Sequence, residues 1–503
     1  MSHCRNQKAP LLDRRTFLKS SAAAGGALIA GVPWGPVHAT APMLKVGTRT
    51  IEVNGKPAKV FHIEGPGGTN GLMAREGDRL SGALLNASGE PLQMHWHGQV
   101  KAPADQDRAR PGGGALAPDH SDIHDFELTP GTHWMHSHTL SEQRLLAAPM
   151  VTRERDAGNV QDVVIMLHDF AFRSPQEILA ELGGTDAHGG HGAGRGPMPG
   201  SARRASAPMQ HGPGGGHAMH GMGGHMRGHG GHMMSMTHAN DVRYDAYLAN
   251  ERTLDDPQIV KVEKGGRVRL RIINGGTATA FFVSTPGLAS HAVAVDGVSC
   301  QPVQQASYPL AQGQRIDLAV EIPREGGAFS VLAQVEDATL LTGIVLATPG
   351  ADIARRPATA TQKAELLDLA FEAALRAATP LPIMRPQASF VAMLGEEAGY
   401  RWTINGSVHG EHEPFKVRQG DRVEITFMNP TSMMHPMHLH GHHFQVVGIG
   451  GRRFSGPIRD TVIVPAHAPV TIAFDAAHRG SWFLHCHHLY HMATGMMTEV
   501  QVS

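Results

Sequence analysis

Short runs in which apolar and polar residues alternate recur along the chain, as in Val268-Arg269-Leu270-Arg271-Ile272 and Val423-Glu424-Ile425-Thr426-Phe427. A period of two places the apolar side chains on one face of a β-strand, and the Gly and Pro residues between runs mark turns. Three segments share a pattern: Gly, one further residue, Arg, an aliphatic residue, and Asn nine positions after the Gly. They run from Gly77 to Asn86, Gly265 to Asn274 and Gly420 to Asn429. A second landmark follows each, with Gly131 opening GTHWMHSH, Gly327 opening GAFSVLAQ and Gly480 opening GSWFLHCH. Such self-similarity means one structural unit written three times. It predicts an all-β chain of three antiparallel Greek-key β-sandwich domains at 43–158, 159–350 and 351–503. Two stretches break the pattern. Residues 183–239 are rich in Gly, Pro, His and Met and poor in aliphatics, which predicts an insertion in the second domain without a core of its own. Residues 362–377 read as a helix or an irregular connection.

Composition narrows the function. Net charge over 503 residues is −1, which gives no reason to expect nucleic acid as a partner. The three cysteines do not form a disulfide framework: Cys4 lies near the N-terminus, Cys300 reads as a small packed residue, and Cys486 has a chemical role. Residues 1–39 resemble a twin-arginine export signal, with Arg14-Arg15, then Phe17-Leu18-Lys19, an apolar run too short to span a bilayer, and Val37-His38-Ala39 before the expected cleavage. A periplasmic product exported in the folded state is therefore expected, with no membrane span and as a monomer. The anomaly is 34 histidines and 24 methionines.

The chemistry centres on His485-Cys486-His487. In an extended strand His485 and His487 share a face and Cys486 takes the other. His491 and Met496 follow at intervals of five residues. Thiolate, imidazole and a distant thioether are ligands of a blue-copper site, and a second imidazole completes the set; His435 can supply it. The repeats place the other metals. His95 and His97 stand nine and eleven residues past Asn86, as His438 and His440 do past Asn429; His136 and His138 stand five and seven past Gly131, as His485 and His487 do past Gly480. The first and third domains thus offer eight imidazoles from equivalent places, which suits a cluster of three coppers at their interface. Val283, Leu332 and Gln334 occupy the His438-, His485- and His487-like places of the middle repeat, so that domain supplies no ligand. Leu92 and Ser137 stand where the third domain has His435 and Cys486, so the mononuclear site occurs once.

With HWHG at 95, HWMHSH at 133, HPMHLHG at 435 and HCHHLYHMATGMM at 485, in this order and three-domain spacing, the sequence resembles the multicopper oxidases, the family of laccases and bacterial copper-resistance oxidases. The resemblance implies cupredoxin-like domains and four copper ions. It gives His435, Cys486 and His491 to the type 1 (blue) copper, with Met496 axial. It gives His95 and His438 to the type 2 copper, and His97, His136, His138, His440, His485 and His487 to the type 3 pair. It implies one-electron oxidation of a reductant at the blue site, transfer from Cys486 to His485 and His487, and four-electron reduction of O2 to water. The sequence departs from the family pattern at His133 and Met135, where relatives usually have Tyr, and at Met492, where many have a proton-donating Glu. The family's protonating Asp aligns near Gln106, so Asp105 or Asp107 is the candidate for a proton relay. Three substrate readings remain. The first is Cu(I) in copper tolerance, favoured by the Met- and His-rich stretch and by Met433 and Met434 beside His435. The second is a phenol or aromatic amine, as in a laccase. The third is electron transfer or copper binding without turnover, against which the intact eight-histidine set argues.

Overall fold

The computed structural model describes residues 44–184 and 239–503. The signal-like segment 1–39 and all of 183–239 except residues 183, 184 and 239 lie outside them. Six sheets group into three face-to-face pairs: two of four strands within 44–153, one of six and one of five within 161–347, and one of seven and one of five within 388–502. Each pair encloses its own apolar core, built around Phe61 and Leu84, Leu270 and Phe281, and Ile425 and Phe427 respectively. No helix among the described residues is long and apolar enough to cross a membrane.

The repeated Asn is a structural staple. In all three units its amide donates to two backbone carbonyls and its oxygen accepts the N–H two residues on. Asn86 bonds Glu90 O, Leu116 O and Ser88 N; Asn274 bonds Thr279 O, Leu310 O and Gly276 N; Asn429 bonds Met433 O, Val464 O and Thr431 N. The motif therefore fixes the same strand exit three times.

Two details differ from the sequence-based expectation. The sheets are mixed rather than antiparallel throughout. In each unit the first strand runs parallel to the Asn-bearing strand, as in Leu44 beside Leu84, Val163 beside Leu270 and Phe390 beside Ile425. Alternation reports which face is buried and carries no information on a neighbour's direction. The middle repeat is also offset by one residue. Val283 faces Ala333 and Leu332 faces Ser284, whereas His95 faces His136 and His438 faces His485 in the other two units. The positions matching His485 and His487 are thus Ala333 and Val335, and the middle unit is still without ligands there.

The helix Pro175–Gly184 was not anticipated, although its start is written in the sequence. Ser174 and Glu177 cap it reciprocally, Ser174 N donating to Glu177 Oε2 at 2.7 Å and Glu177 N to Ser174 Oγ at 3.2 Å, with Pro175 in the first turn. Within 362–377 only Ala370–Ala374 is helical. Cys300 packs in the middle core, as expected.

Buried charge joins the first unit to the second. Arg271, fully buried, meets Glu154 at 2.7 Å, Asp162 at 2.6 Å and Asp317 at 3.3 Å, and donates to Thr132 Oγ1 at 3.1 Å. Removing one partner of a buried ion pair costs about 3–5 kcal/mol because the other charge is left uncompensated. Arg271→Met is expected to lower stability by about that amount, measured as a fall in the urea midpoint.

Candidate metal centre

The strands that carry the histidines are buried on both faces. Every residue of Met94–His97, Gly131–Ser137 and His435–Leu439 is buried. One face packs into the strand's own sandwich, through Met94, Trp96 and Met135 in the first unit and Met437 and Cys486 in the third. The other face carries His95, His97 and His136, or His438 and His485, and meets the neighbouring unit. Alternate residues of HWHG and HCH therefore meet different surroundings, the histidines turning to the neighbouring unit and Trp96 and Cys486 to their own core.

Two groups of side chains result. In the first, Cys486 Sγ lies 3.7 Å from His435 Nδ1 and 3.7 Å from His491 Nδ1, and those nitrogens are 3.2 Å apart. Met496 is fully buried in the same core, and its backbone is held to the group, with Cys486 N donating to Met496 O and Met496 N to His491 O. In the second, His95 Nε2 faces His438 Nε2 at 3.2 Å, His97 Nδ1 faces His136 Nε2 at 3.4 Å, and His485 Nε2 faces both His138 Nε2 at 3.1 Å and His440 Nε2 at 3.0 Å. The His487 ring lies 5.1 Å from those of His97 and His136.

The outer nitrogens say what belongs between the inner ones. His95 Nδ1 donates to Asp107 Oδ2 at 2.7 Å, His438 Nδ1 to Asp460 O at 2.8 Å, His440 Nδ1 to Ala109 O at 3.1 Å and His485 Nδ1 to Cys486 O at 2.9 Å. A neutral imidazole has one N–H, so each of these four presents a bare lone pair at Nε2. Burial keeps the rings neutral: it lowers the pKa of His485 and of His491 to about 3 and that of His438 and His440 well below the ordinary value. Lone pairs facing each other at about 3 Å repel, and both ring nitrogens of buried His487 have no hydrogen-bond partner. A cation resolves both problems. The first group makes the same case, since burial pushes the Cys486 thiol pKa up, and a coordinated metal is what would deprotonate it. Two imidazoles with one thiolate suit copper.

Models of the multicopper oxidase family match residues 45–156, 223–348 and 384–503. The chain belongs to the multicopper oxidases. The oxidase is 29% identical to the multicopper oxidase MmcO of Mycobacterium tuberculosis, over 85% of this chain and 80% of that one. It is 25% identical to copper resistance protein A of Escherichia coli, over 97% and 99% of the two chains. The crystal structure of a laccase from Botrytis aclada superimposes with a TM-score of 0.69 at 20% identity, covering 91% of the oxidase and 87% of the laccase, which shows a shared fold. The oxidase is thus a copper-dependent oxidoreductase that uses O2 as its electron acceptor.

The other singled-out residues divide sharply. Asp107 is buried on His95, whereas Asp105 is exposed on the short turn Ala104–Gln106. Met433 and Met135 are core residues, Met434 packs beside Ala280 and Ile463, and Met492 packs with Phe483 and Met497. His488 stacks flat on His491, with centroids 3.7 Å apart and planes at 9°. Trp402 covers the opposite ring face at 3.9 Å and 28°. Several neighbours of the histidines were not legible. Glu142 accepts from His136 Nδ1 at 3.1 Å, Asp460 accepts from His97 Nε2 at 3.1 Å, and Asp241 lies 3.7 Å from His491 Nε2. They are polar residues without a spacing rule. One signal was present: Asp296-Gly297 between alternating runs marks a tight hairpin, whose tip inserts beside His133.

Gly98 ends HWHG at φ +83°, and a Cβ there would lie 2.2 Å from His133 Nδ1, 2.7 Å from Arg315 Nη2 and 3.1 Å from Asp460 Oδ2. Gly98→Ala is therefore expected to cost about 1–3 kcal/mol of stability through strain and overpacking, read as a lowered thermal midpoint.

Proposed function

We propose that this oxidase oxidises Cu(I) to Cu(II), coupled to four-electron reduction of O2 to water, in copper tolerance. The observation that carries the reading is Asp241. It stands just beyond the Met- and His-rich stretch, and its Oδ2 lies 3.7 Å from His491 Nε2 while its Oδ1 lies 3.2 Å from His488 Nε2. Burial works against its charge, yet the two imidazoles hold its carboxyl well below the usual carboxylate range. Both faces of His491 are covered, by His488 and Trp402, so a flat aromatic donor has no ring face to stack on. The edge of the ring is approached through a carboxylate, which attracts a cation. The residues flanking the stretch also meet here: Ile178, Leu179 and Leu182 of the preceding helix pack in one cluster with Val242 and Tyr490. Between them, residues 188–238 carry nine His and eight Met, ligands that suit Cu(I). The relative named copper resistance protein A supports the same reading.

Within it, His435, Cys486, His491 and Met496 would hold the type 1 copper, His95 and His438 the type 2 copper, and His97, His136, His138, His440, His485 and His487 the type 3 pair. Domains at 43–158, 159–350 and 351–503, and export to the periplasm through Arg14-Arg15, complete the proposal. Copper supplies one-electron redox steps and the reduction of O2. The protein's part is to hold neutral imidazoles in fixed tautomers, to exclude water from a fully buried thiolate, and to join the two centres through the single strand that carries His485, Cys486 and His487. Asp107, which accepts from His95 Nδ1, is the candidate for a proton relay beside the cluster.

Cys486→Ser is expected to abolish the thiolate-to-copper absorption and the oxidase activity while leaving the far-ultraviolet circular dichroism unchanged; a persisting blue band would refute the assignment. The substrate is tested by replacing residues 185–238 with a short Gly/Ser bridge, which leaves Asp241 in place. Copper loading should stay complete, the KM for Cu(I) should rise, and oxidation of a simple phenol should hold or increase. A proportional fall in both activities at full copper loading would remove the support for Cu(I).

A further inference from the structure

The middle unit supplies none of the proposed ligands, yet one of its side chains reaches both of the units that do. Arg315 is fully buried. Toward the first unit its Nε donates to Thr132 O at 3.1 Å, and Nη2 lies 3.3 Å from His133 Nδ1. Within its own unit it donates to Gly313 O at 3.0 Å and Asp296 O at 3.1 Å. Toward the third unit it grips Asp460 with both arms, at 2.6 and 2.5 Å. Asp460 in turn touches two proposed ligands from different units. Its Oδ1 accepts from His97 Nε2 at 3.1 Å, and its backbone oxygen accepts from His438 Nδ1 at 2.8 Å. Thr461 Oγ1 lies 3.3 Å from His97 and 3.2 Å from His438, and donates to Asp460 Oδ1 at 2.9 Å. The His97 and His438 rings are stacked, 3.7 Å apart at 13°. Asp296 completes the brace by accepting from the backbone of Asp460 and Thr461 at 3.3 and 3.2 Å.

The geometry is that of an oriented acceptor. A carboxylate that bonds one nitrogen of a metal-binding imidazole sets its tautomer and ring angle, and its own orientation must be fixed by a further group. A planar guanidinium gripping both oxygens does this, and a lysine cannot. We propose that Arg315 is a positioning residue for the copper cluster: through the Asp460 carboxylate it orients His97, on whose ring His438 stacks, so the middle unit controls how firmly the cluster holds copper. This rests on the ligand assignment above.

The test separates the two copper centres in the full-length, copper-loaded protein. Arg315→Met should keep the blue absorption per chain, while cluster copper is lost to a chelator with about 10- to 100-fold weaker retention, the usual effect of removing a group behind a ligating imidazole. The non-blue cupric resonance should change its hyperfine splitting. Because Arg315→Met leaves Asp460 unpaired, Arg315→Lys decides if the first variant does not fold; it keeps the charge and loses the fork, and should show the same selective weakening. A folded variant of either kind with cluster retention and resonance equal to the parent overturns the proposal. His97→Ala, measured alongside, should keep the blue band and lose cluster copper; if it retains all its copper, the ligand assignment itself is at fault.

Discussion

Neutral imidazoles that turn lone pairs toward one another inside a buried interface are the constraint on which the rest depends. Between His95 and His438 at 3.2 Å, and between His440 and His485 at 3.0 Å, the nitrogens cannot share a proton, because hydrogen bonds to Asp107, Asp460, Ala109 and Cys486 already hold the outer positions of all four rings. Without a cation the arrangement is a set of like dipoles in low dielectric. With copper between them, the same atoms would become a coordination shell shared by the first and third units. On the proposed ligand assignment, metal binding would then be linked to the folded state and would help hold the units together.

The scaffold meets this constraint by repetition. The thrice-used Asn staple fixes where each strand leaves its sheet, and the paired registers of His95 with His136 and His438 with His485 put equivalent imidazoles on equivalent faces. Two such faces, brought together, gather imidazoles of both units into one buried group. The middle unit serves as the clamp. Its Arg271 binds Glu154 of the first unit and its Arg315 binds Asp460 of the third. Both guanidiniums are fully buried, and both are fully engaged by acceptors, as a buried cation requires.

The mononuclear group shows a different economy of space. Cys486 lies one peptide bond from His485 and from His487, so one strand serves both centres. His491 is packed between His488 and Trp402, with the Nε2 edge of its ring toward Asp241. Thr431 and Asn429 extend the order further: Thr431 Oγ1 lies 2.8 Å from His435 Nε2 and donates to Asn429 Oδ1 at 2.7 Å, so the repeat's structural Asn also braces a proposed copper ligand.

By itself the sequence determined whatever is local and periodic. The alternation of strands, the three repeats, the opposite faces of His485 and Cys486, and the pairing of motifs nine residues past an Asn all follow from backbone geometry acting over a few residues. Only the tertiary structure decided the rest, because those contacts join residues hundreds of positions apart that no periodicity relates. That Asp107 and not Asp105 reaches His95, that Asp460 and Arg315 stand behind the cluster, that Glu142 holds His136, and that Asp241 meets His491 depend on how whole sheets dock. The parallel strand pairs and the one-residue offset of the middle hairpin belong to the same class. A strand's pattern specifies which side chains are buried, while its neighbours and its register are chosen by the packing of the complete sandwich.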